Sequence, residues 1–450
     1  MLNRTYIIII PLICSFQLAA QNNTKSLYSF YGLGELQNAS SVAGRTLGGS
    51  YMGIAPGNFP NLLNPLSLSG RKVVDFEMGL EANYRIQSTN NAARTDWAGN
   101  VSYLSLAYNT LHKAIKIRDS SGRVKKTIPL RYNQMLGVAP FAAMDYDFSI
   151  AGDTNTFRTL LTNGGKGSLN SIYYNHALQF FDTQFTLGFG YQYVFGTYVE
   201  TSLKNLLNDT ASVGIESLLS QRVKGRLYSL SLGYQGYLSK KIGLKHSVSA
   251  NYRLSNQFSN NAISLTRTVE DFFTIKDTFS YTTNAFNINM PSVINIGYGL
   301  QFKNLWALSF QYDQQKMSAF INPAKQSNLT DIERMSIGLQ INPNRLAAEG
   351  KTLRFYKTVE WRAGFFYQSG PYSVKINNIL TPIKEYGINF GAGIPVIQKI
   401  DRKNYASYVN IGLQYSARGN SNNGLLRENI FRVNLSMHLS DLWFRKFNYN

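Results

Sequence analysis

The stretch FTLGFGYQYVFG, residues 185–196, decides the fold. Its odd positions, Phe185, Leu187, Phe189, Tyr191, Tyr193 and Phe195, are large and apolar, whereas Thr186, Gly188, Gly190, Gln192, Val194 and Gly196 are mostly small or polar. Successive side chains of a β-strand point to opposite faces, so this period of two describes a strand with one greasy face and one small or polar face. The same alternation recurs over 228–235, 306–313, 409–415 and 431–440.

Alternation alone fits a half-buried soluble sheet or a membrane barrel with lipid-facing apolar residues. Three features favour the barrel. The alternating segments often run to ten residues or more, and a tilted strand needs about 9 to 11 to span a bilayer. Aromatic residues make up 13% of the chain and cluster at segment ends, where the interfacial girdles of a barrel lie. The last pattern, FRVNLSMHLSDLWF from Phe431, runs almost to the chain end, as a closing strand would. Extending the count predicts an antiparallel transmembrane β-barrel of about fourteen strands, the first near 72–86 and the last near 428–440, with twelve or sixteen left open. Connections alternate between short turns, such as 239–241 and 303–304, and long loops at 87–99, 199–222 and 258–285. The link 112–130 is long where a short turn is expected. An even strand count puts both termini in the periplasm.

Outside the strands, MLNRTYIIIIPLICSFQLAA at 1–20 has one basic residue, an apolar stretch and two small residues, the pattern of a secretory leader. Its apolar core is short for a membrane span, and no other run approaches the ~20 apolar residues of a transmembrane helix. Cys14 lies within that leader, so the mature chain has no thiol for a disulfide, a nucleophile or a metal site. Lysine and arginine outnumber aspartate and glutamate 45 to 25, a formal net charge of +20. No basic helix or nucleic-acid motif accompanies that charge, so a solvated lumen and loops facing anionic lipid explain it and no nucleic-acid partner is expected. His112, His176, His246 and His438 fall on separate segments without metal spacing or a neighbouring nucleophile. Neither an enzyme nor a cofactor is expected. Glycine pairs such as Gly188 with Gly190 and Gly391 with Gly393 sit inside strands, lack a phosphate-loop context, and read as close packing between neighbouring strands.

Between leader and first strand, LYSFYGLGELQNASSVAGRTLGGSYMGIAPGNFPNLLNPLSLSG at 27–70 is glycine-rich, does not alternate, and ends near Asn64-Pro65. With INPNR at 341, GINFGAGIPV at 387 and the closing run from 410, this resembles a divergent branch of the long-chain fatty acid transporter (FadL) family of outer-membrane proteins. Leu66 stands where that family's Asn-Pro-Ala motif has alanine. The resemblance implies a leader at 1–20, an N-terminal hatch at 21–70 plugging the lumen, and an outer-membrane barrel at 71–450.

It further implies an outer-membrane transporter of hydrophobic, fatty-acid-like molecules, caught by outer loops and released sideways at a kinked third strand. Here that strand reads QMLGVAPFAAMDYDFSIA, with Gly137, Pro140, Ala142 and Ala143 at its centre. A mid-strand proline donates no ladder hydrogen bond, so Pro140 marks either a simple bulge or an edge facing an opening. In the third long outer loop, Leu203, Leu206, Leu207, Ile215, Leu218 and Leu219 are spaced by three and four, which predicts a helical stripe and a capture groove or rim contact. Arg45 is the candidate latch between hatch and wall, or a solvated arginine. Arg71 and Lys72 merely follow Gly70 at the membrane edge and do not read as a carboxylate clamp. The expected partners are membrane lipid and a hydrophobic small molecule. The alternative is an accessory barrel subunit of a secretion or assembly complex, contacting other outer-membrane or periplasmic proteins.

Overall fold

The computed structural model describes residues 24–441, except 54–58, 72, 91, 119, 122–123, 154–157, 181–183, 207–212, 271–273, 304, 326–328, 344–354, 377–378, 401–402 and 422–425. The predicted leader and Leu207 therefore lie outside the described residues. Fourteen antiparallel strands close into one barrel. They are β1 (Val74–Ser88), β2 (Ala93–Arg118), β3 (Val124–Asp153), β4 (Arg158–Phe180), β5 (Phe185–Leu206) and β6 (Gly214–Ser239). Next come β7 (Leu244–Arg253 continued by Asn256–Glu270), β8 (Thr274–Met290 continued by Val293–Phe302), β9 (Trp306–Gln315) and β10 (Ile332–Ile341). The last four are β11 (Glu360–Ile376), β12 (Ile379–Ile400), β13 (Lys403–Gly419) and β14 (Arg427–Asp441). β14 returns to β1 in unbroken register, from Arg427 opposite Ser88 to Asp441 opposite Val74. That closure removes the ladder edge which hydrocarbon cannot satisfy.

The opening stretch behaves as its period requires. Phe185, Leu187, Phe189 and Phe195 are exposed on the outer face, while Thr186 and Val194 are buried inside. Large apolar side chains on the outer face of a closed barrel have lipid, not a protein core, as their partner. Among the described residues no helix is long and apolar enough to cross a membrane.

Four expected loops are largely strand instead, among them 87–99, where β1 runs to Ser88 and β2 begins at Ala93. The link 112–130 is taken up as β2 runs on to Arg118 and β3 starts at Val124. The stretches 199–222 and 258–285 are the continuing hairpins β5–β6 and β7–β8. β3 has 30 residues and β6 has 26, against 10 in each of β9 and β10, so one side of the barrel stands far taller. Beyond the lipid a strand needs no continuous greasy face, and the alternation fades while the β-branched and threonine content that sustains pairing remains.

Residues 24–71 fold inside the cylinder as a plug. It comprises a 3-10 turn at Leu27–Phe30, a two-residue strand at Glu35–Leu36, a short helix at Val42–Arg45 and a second 3-10 turn at Pro65–Leu68. Val42, Ala43, Leu47, Met52, Leu62, Leu66 and Leu68 are all buried. The lumen expected to be solvated is instead largely filled, because the small inward side chains of the wall leave space that the plug occupies.

Candidate functional site

Among the described residues the ladder between β2 and β3 is interrupted. β2 and β3 pair from Arg118 opposite Val124 up to Leu104 opposite Val138, and there the ladder stops. Above that level no register pair joins 93–103 of β2 to 139–153 of β3 among the described residues. Each departing strand carries an extra residue at this height. Ser102 is bulged against β1, and Phe141 is bulged against β4 between Pro140 opposite Asn170 and Ala142 opposite Leu169. A bulge bends its strand and increases twist, and a proline beside it removes a donor the ladder would otherwise use. Gly137 lies below the break, regularly paired, with Leu62 of the plug packed against its missing side chain.

Beyond the break β3 bends inward. Ala139 to Tyr146 are buried at every position, on both faces, where the strand elsewhere alternates. Its freed edge pairs with the plug, Glu35 opposite Ala143 and Leu36 opposite Ala142. The Gln37 N–H donates to the Phe141 carbonyl at 2.9 Å, and the Ser26 N–H donates to the Asp145 carbonyl at 3.1 Å. Gly34 has φ +92°, and a side chain there would strike the Ala143 backbone. Asn38, next along the plug after Gln37, is exposed, between the half-buried Gln37 and the buried Ala39. At the outer end of the break an Arg94–Asp147 ion pair of 2.8 Å spans the two strands.

Behind the opening lies a packed apolar cluster. Leu33, Phe141, Met144, Leu169, Phe258 and Met290 belong to one buried cluster that draws on plug, β3, β4, β7 and β8. Inward positions that are serine, glycine and asparagine at mid-barrel thus become apolar toward the outer end. That switch was legible in the sequence, since Val194, Val223, Leu227 and Ile288 occupy the inward parity of their strands.

Three charged anchors hold the plug. At the outer end Glu35 meets Arg85 at 2.9 Å and Arg418 at 2.8 Å, and Arg418 also meets Glu385 at 2.7 Å. Glu428 completes the cluster at 3.1 Å from Arg85 and accepts from the Ser26 hydroxyl at 2.6 Å. Burial alone would raise the Glu35 pKa, but Arg85, Arg418 and Arg432, with a hydrogen bond from Thr24, hold its carboxyl well below the usual range. Midway, Arg45 is buried and pairs with Glu81 of β1, donates to Asn434 of β14 at 2.8 Å, and packs over the Tyr103 ring. It touches the wall where a latch would. At the periplasmic end Arg71, dismissed on sequence as a boundary residue, is buried and pairs with Asp75, which also contacts His438 at 3.1 Å.

Asn64 caps the turn that starts at Pro65, its side chain accepting from the Leu66 N–H. The same segment is tied to the wall through Asn175 to the Leu62 carbonyl and Asn133 to the Leu68 carbonyl, at 2.8 and 2.6 Å. Gly188 and Gly391 receive this plug first, which corrects the reading made from them, whereas a Cβ on Gly190 would first meet Ser229 and Asn175 of the neighbouring strands. A Cβ on Gly188 would meet Pro65 at 2.9 Å, one on Gly297 would meet Met52 at 2.5 Å, and one on Gly338 would meet Leu47 at 2.7 Å. Gly364 faces Gly48, and both Gly391 and Gly412 face Thr46. Gly393, like Gly190, packs first against wall residues, here Arg362 and Asn410.

The helical stripe does not form. Leu203 and Leu206 lie on β5, and Leu218 and Leu219 on β6, where Leu219 pairs with Glu200 and Leu218 with Thr201. On a strand a spacing of three puts residues on opposite faces and only a spacing of four keeps them on one, so the leucines split between the two faces and make no single stripe. Leu203, Leu218 and Leu219 are half-buried and Leu206 is exposed. Among the described residues no group of three or more metal-ligating side chains converges. A cavity lined by Tyr51, Leu62, Tyr173, Arg253 and Gln315 holds about 130 Å³, below the several hundred Å³ of an ordinary small-molecule pocket.

Fold and site together define a plugged fourteen-strand barrel of FadL-like architecture, with a bent third strand and a wall opening sealed from within by its own N-terminal segment. Its architecture is similar to that of a Pseudomonas aeruginosa FadL homologue, with a TM-score of 0.56 at 10% identity over 90% of this chain and 99% of that one. It is also similar to the Ralstonia pickettii toluene transporter TbuX, TM-score 0.51 at 12% identity over 90% and 99% of the two chains. For the P. putida toluene transporter TodX the figures are 0.50, 14%, 92% and 100%. The chain belongs to the BamG family, whose sequence model matches residues 1–117 and 124–450. No curated protein matches it by sequence.

Proposed function

We propose that this protein is exported by the leader at 1–20 to an outer membrane and there passes hydrophobic small molecules. The observation that carries this is the opening between β2 and β3, backed by a packed apolar cluster and sealed by the plug strand Glu35–Leu36. A water-filled pore suits polar solutes, whereas a side opening at membrane height lets an apolar molecule pass between lumen and lipid without crossing water. The hydrocarbon and toluene channels of similar architecture support the same substrate class. Residues 21–70 act as the hatch, Asn64 and Pro65 seat its periplasmic end, Arg45 latches its middle, and Pro140 and Ala142 shape the sideways exit. Transport requires the plug to leave Ala142 and Ala143, since its strand Glu35–Leu36 occupies the edge freed at the opening.

The test is toluene and octanoate uptake by cells carrying the wild type, Pro140→Ala, and a double variant with cysteines at Leu36 and Ala142. Oxidation should abolish uptake in the cysteine pair and reduction restore it. Uptake unchanged by the locked plug would overturn the proposal.

Membership of the BamG family and the tall side of the barrel favour a second reading, an accessory subunit docking other outer-membrane or periplasmic proteins. On the outer extension of β8, Ile275, Phe279 and Tyr281 are 53%, 65% and 63% exposed, a patch placed beyond the lipid belt. Purification in mild detergent decides: a stable co-purifying complex, lost when Phe279 and Tyr281 become serine, supports this role, and a lone monomer from its native membrane removes it.

A further inference from the structure

Arg253 ends the first half of β7 and lies on the inward parity shared by the buried Ser247, Ser249 and Asn251. It lines the 130 Å³ cavity together with Tyr51, Leu62, Tyr173, Gln192 and Gln315. Among the described residues Arg45, Arg71, Arg85, Arg362 and Arg418 each meet a carboxylate, and Arg334 donates to the Gly48 carbonyl at 2.9 Å. The Arg253 guanidinium has no hydrogen bond or ion pair among the described residues, and its Nε is buried without an acceptor. A second donor in the same cavity, Gln315 Nε2, is likewise buried without one. The nearby amides are committed, Asn251 to Asn295 and Gln192 to Ser171 and Tyr173. Asp313, the acid of the adjoining ring, accepts from Asn295 and Gln311.

An enclosed cation without a counter-ion is costly, and a fork of guanidinium donors matches an oxyanion. Since one water takes about 30 Å³ of liquid, 130 Å³ accommodates a carboxylate or phosphate group with a water or two. Leu62, Leu63 and Leu227 form the cavity's apolar side, suited to the first methylenes of a chain. We propose that this cavity is an oxyanion site in which Arg253 supplies the charge and Gln315 the orienting donor. The ligand is a carboxylate or phosphate, either free or at the head of an amphiphile. The site stands apart from transport: it is read by equilibrium binding to purified protein, whereas passage through the wall is read by uptake.

The experiment is calorimetric titration of the full chain, in a neutral detergent, with acetate, inorganic phosphate, octanoate and octanol. Binding of octanoate but not octanol, with acetate and phosphate weaker, assigns the site to an amphiphile head group. Comparable binding of acetate or phosphate assigns it to a free anion. In either case Arg253→Gln should lower affinity about 10- to 100-fold, the worth of a charge-assisted hydrogen bond. Arg253→Lys should retain part of the affinity, and Gln315→Leu should weaken binding less. Ligand-free Arg253→Gln should also melt at a higher temperature than the wild type, because an unneutralised cation has been removed. The proposal is overturned if no oxyanion binds the wild type, if octanol binds as well as octanoate, or if Arg253→Gln binds with undiminished affinity.

Discussion

Replacing Glu35 by glutamine removes the one plug carboxylate in the outer charge cluster while keeping the side chain's size. Glu35 is 5% exposed and its two arginine contacts are 2.9 and 2.8 Å. Breaking a buried pair by removing one partner costs about 3 to 5 kcal/mol. Here each arginine keeps a second carboxylate, with Glu428 at 3.1 Å from Arg85 and Glu385 at 2.7 Å from Arg418. The expected cost therefore falls near 2 to 3 kcal/mol, which multiplies the open fraction of the plug about 30- to 150-fold. That loss belongs to the plug rather than to the barrel, whose ladder closes without Glu35. Hydrogen exchange resolves the two: amides of residues 24–40 should lose protection by that factor in Glu35→Gln, while those of β12 to β14 change little. The pH dependence has a defined sign. Glu35 is held below its ordinary range in the folded protein, so its contribution is complete above the unfolded value of about 4.3 and is lost as pH falls below it toward the folded value. Wild-type plug protection should thus fall on acidification, and Glu35→Gln should flatten that profile. Equal protection in both proteins at neutral pH would refute the assignment of Glu35 as an anchor.

Arg45→Gln should loosen the middle of the plug by about 2 to 4 kcal/mol, leaving Glu81 without its close partner, and limited proteolysis between residues 38 and 60 reads it out. Gly364→Ala places a methyl against Gly48 and Leu47, costing about 1 to 3 kcal/mol by overpacking, whereas Gly99→Ala, whose nearest neighbour would be 3.5 Å away, should be neutral; thermal midpoints compare the two. Phe279→Ser with Tyr281→Ser should leave the thermal midpoint and plug protection unchanged, because both side chains are largely exposed, and a clear loss of stability would place them in the fold instead of on a surface.

Strand number and face assignment were legible because they are local. Fourteen segments, the inward and outward parity of 185–196, and the closing pattern from 431 need only the pleat and a bilayer to be read. The candidate site was legible in part: Pro140 marked the strand that bends, and Arg45 the charge in the plug. What that proline does depended on a neighbour. Its bulge opens the wall only because β2 carries its own extra residue, Ser102, at the same height, and because Glu35–Leu36 is there to take the freed edge. The leucines at 203–219 misled because spacings of three and four arise as readily on two strands of a tall hairpin as on a helix. Arg71 read as a basic residue at the membrane edge, yet it is buried and neutralised by Asp75, whereas Arg253 faces a cavity without a carboxylate. Period and composition determine which side of a strand faces in. What stands opposite that side, whether plug glycine, buried glutamate or space, is set by residues tens to hundreds of positions away, and only closure of the barrel around its own N-terminus brings them together.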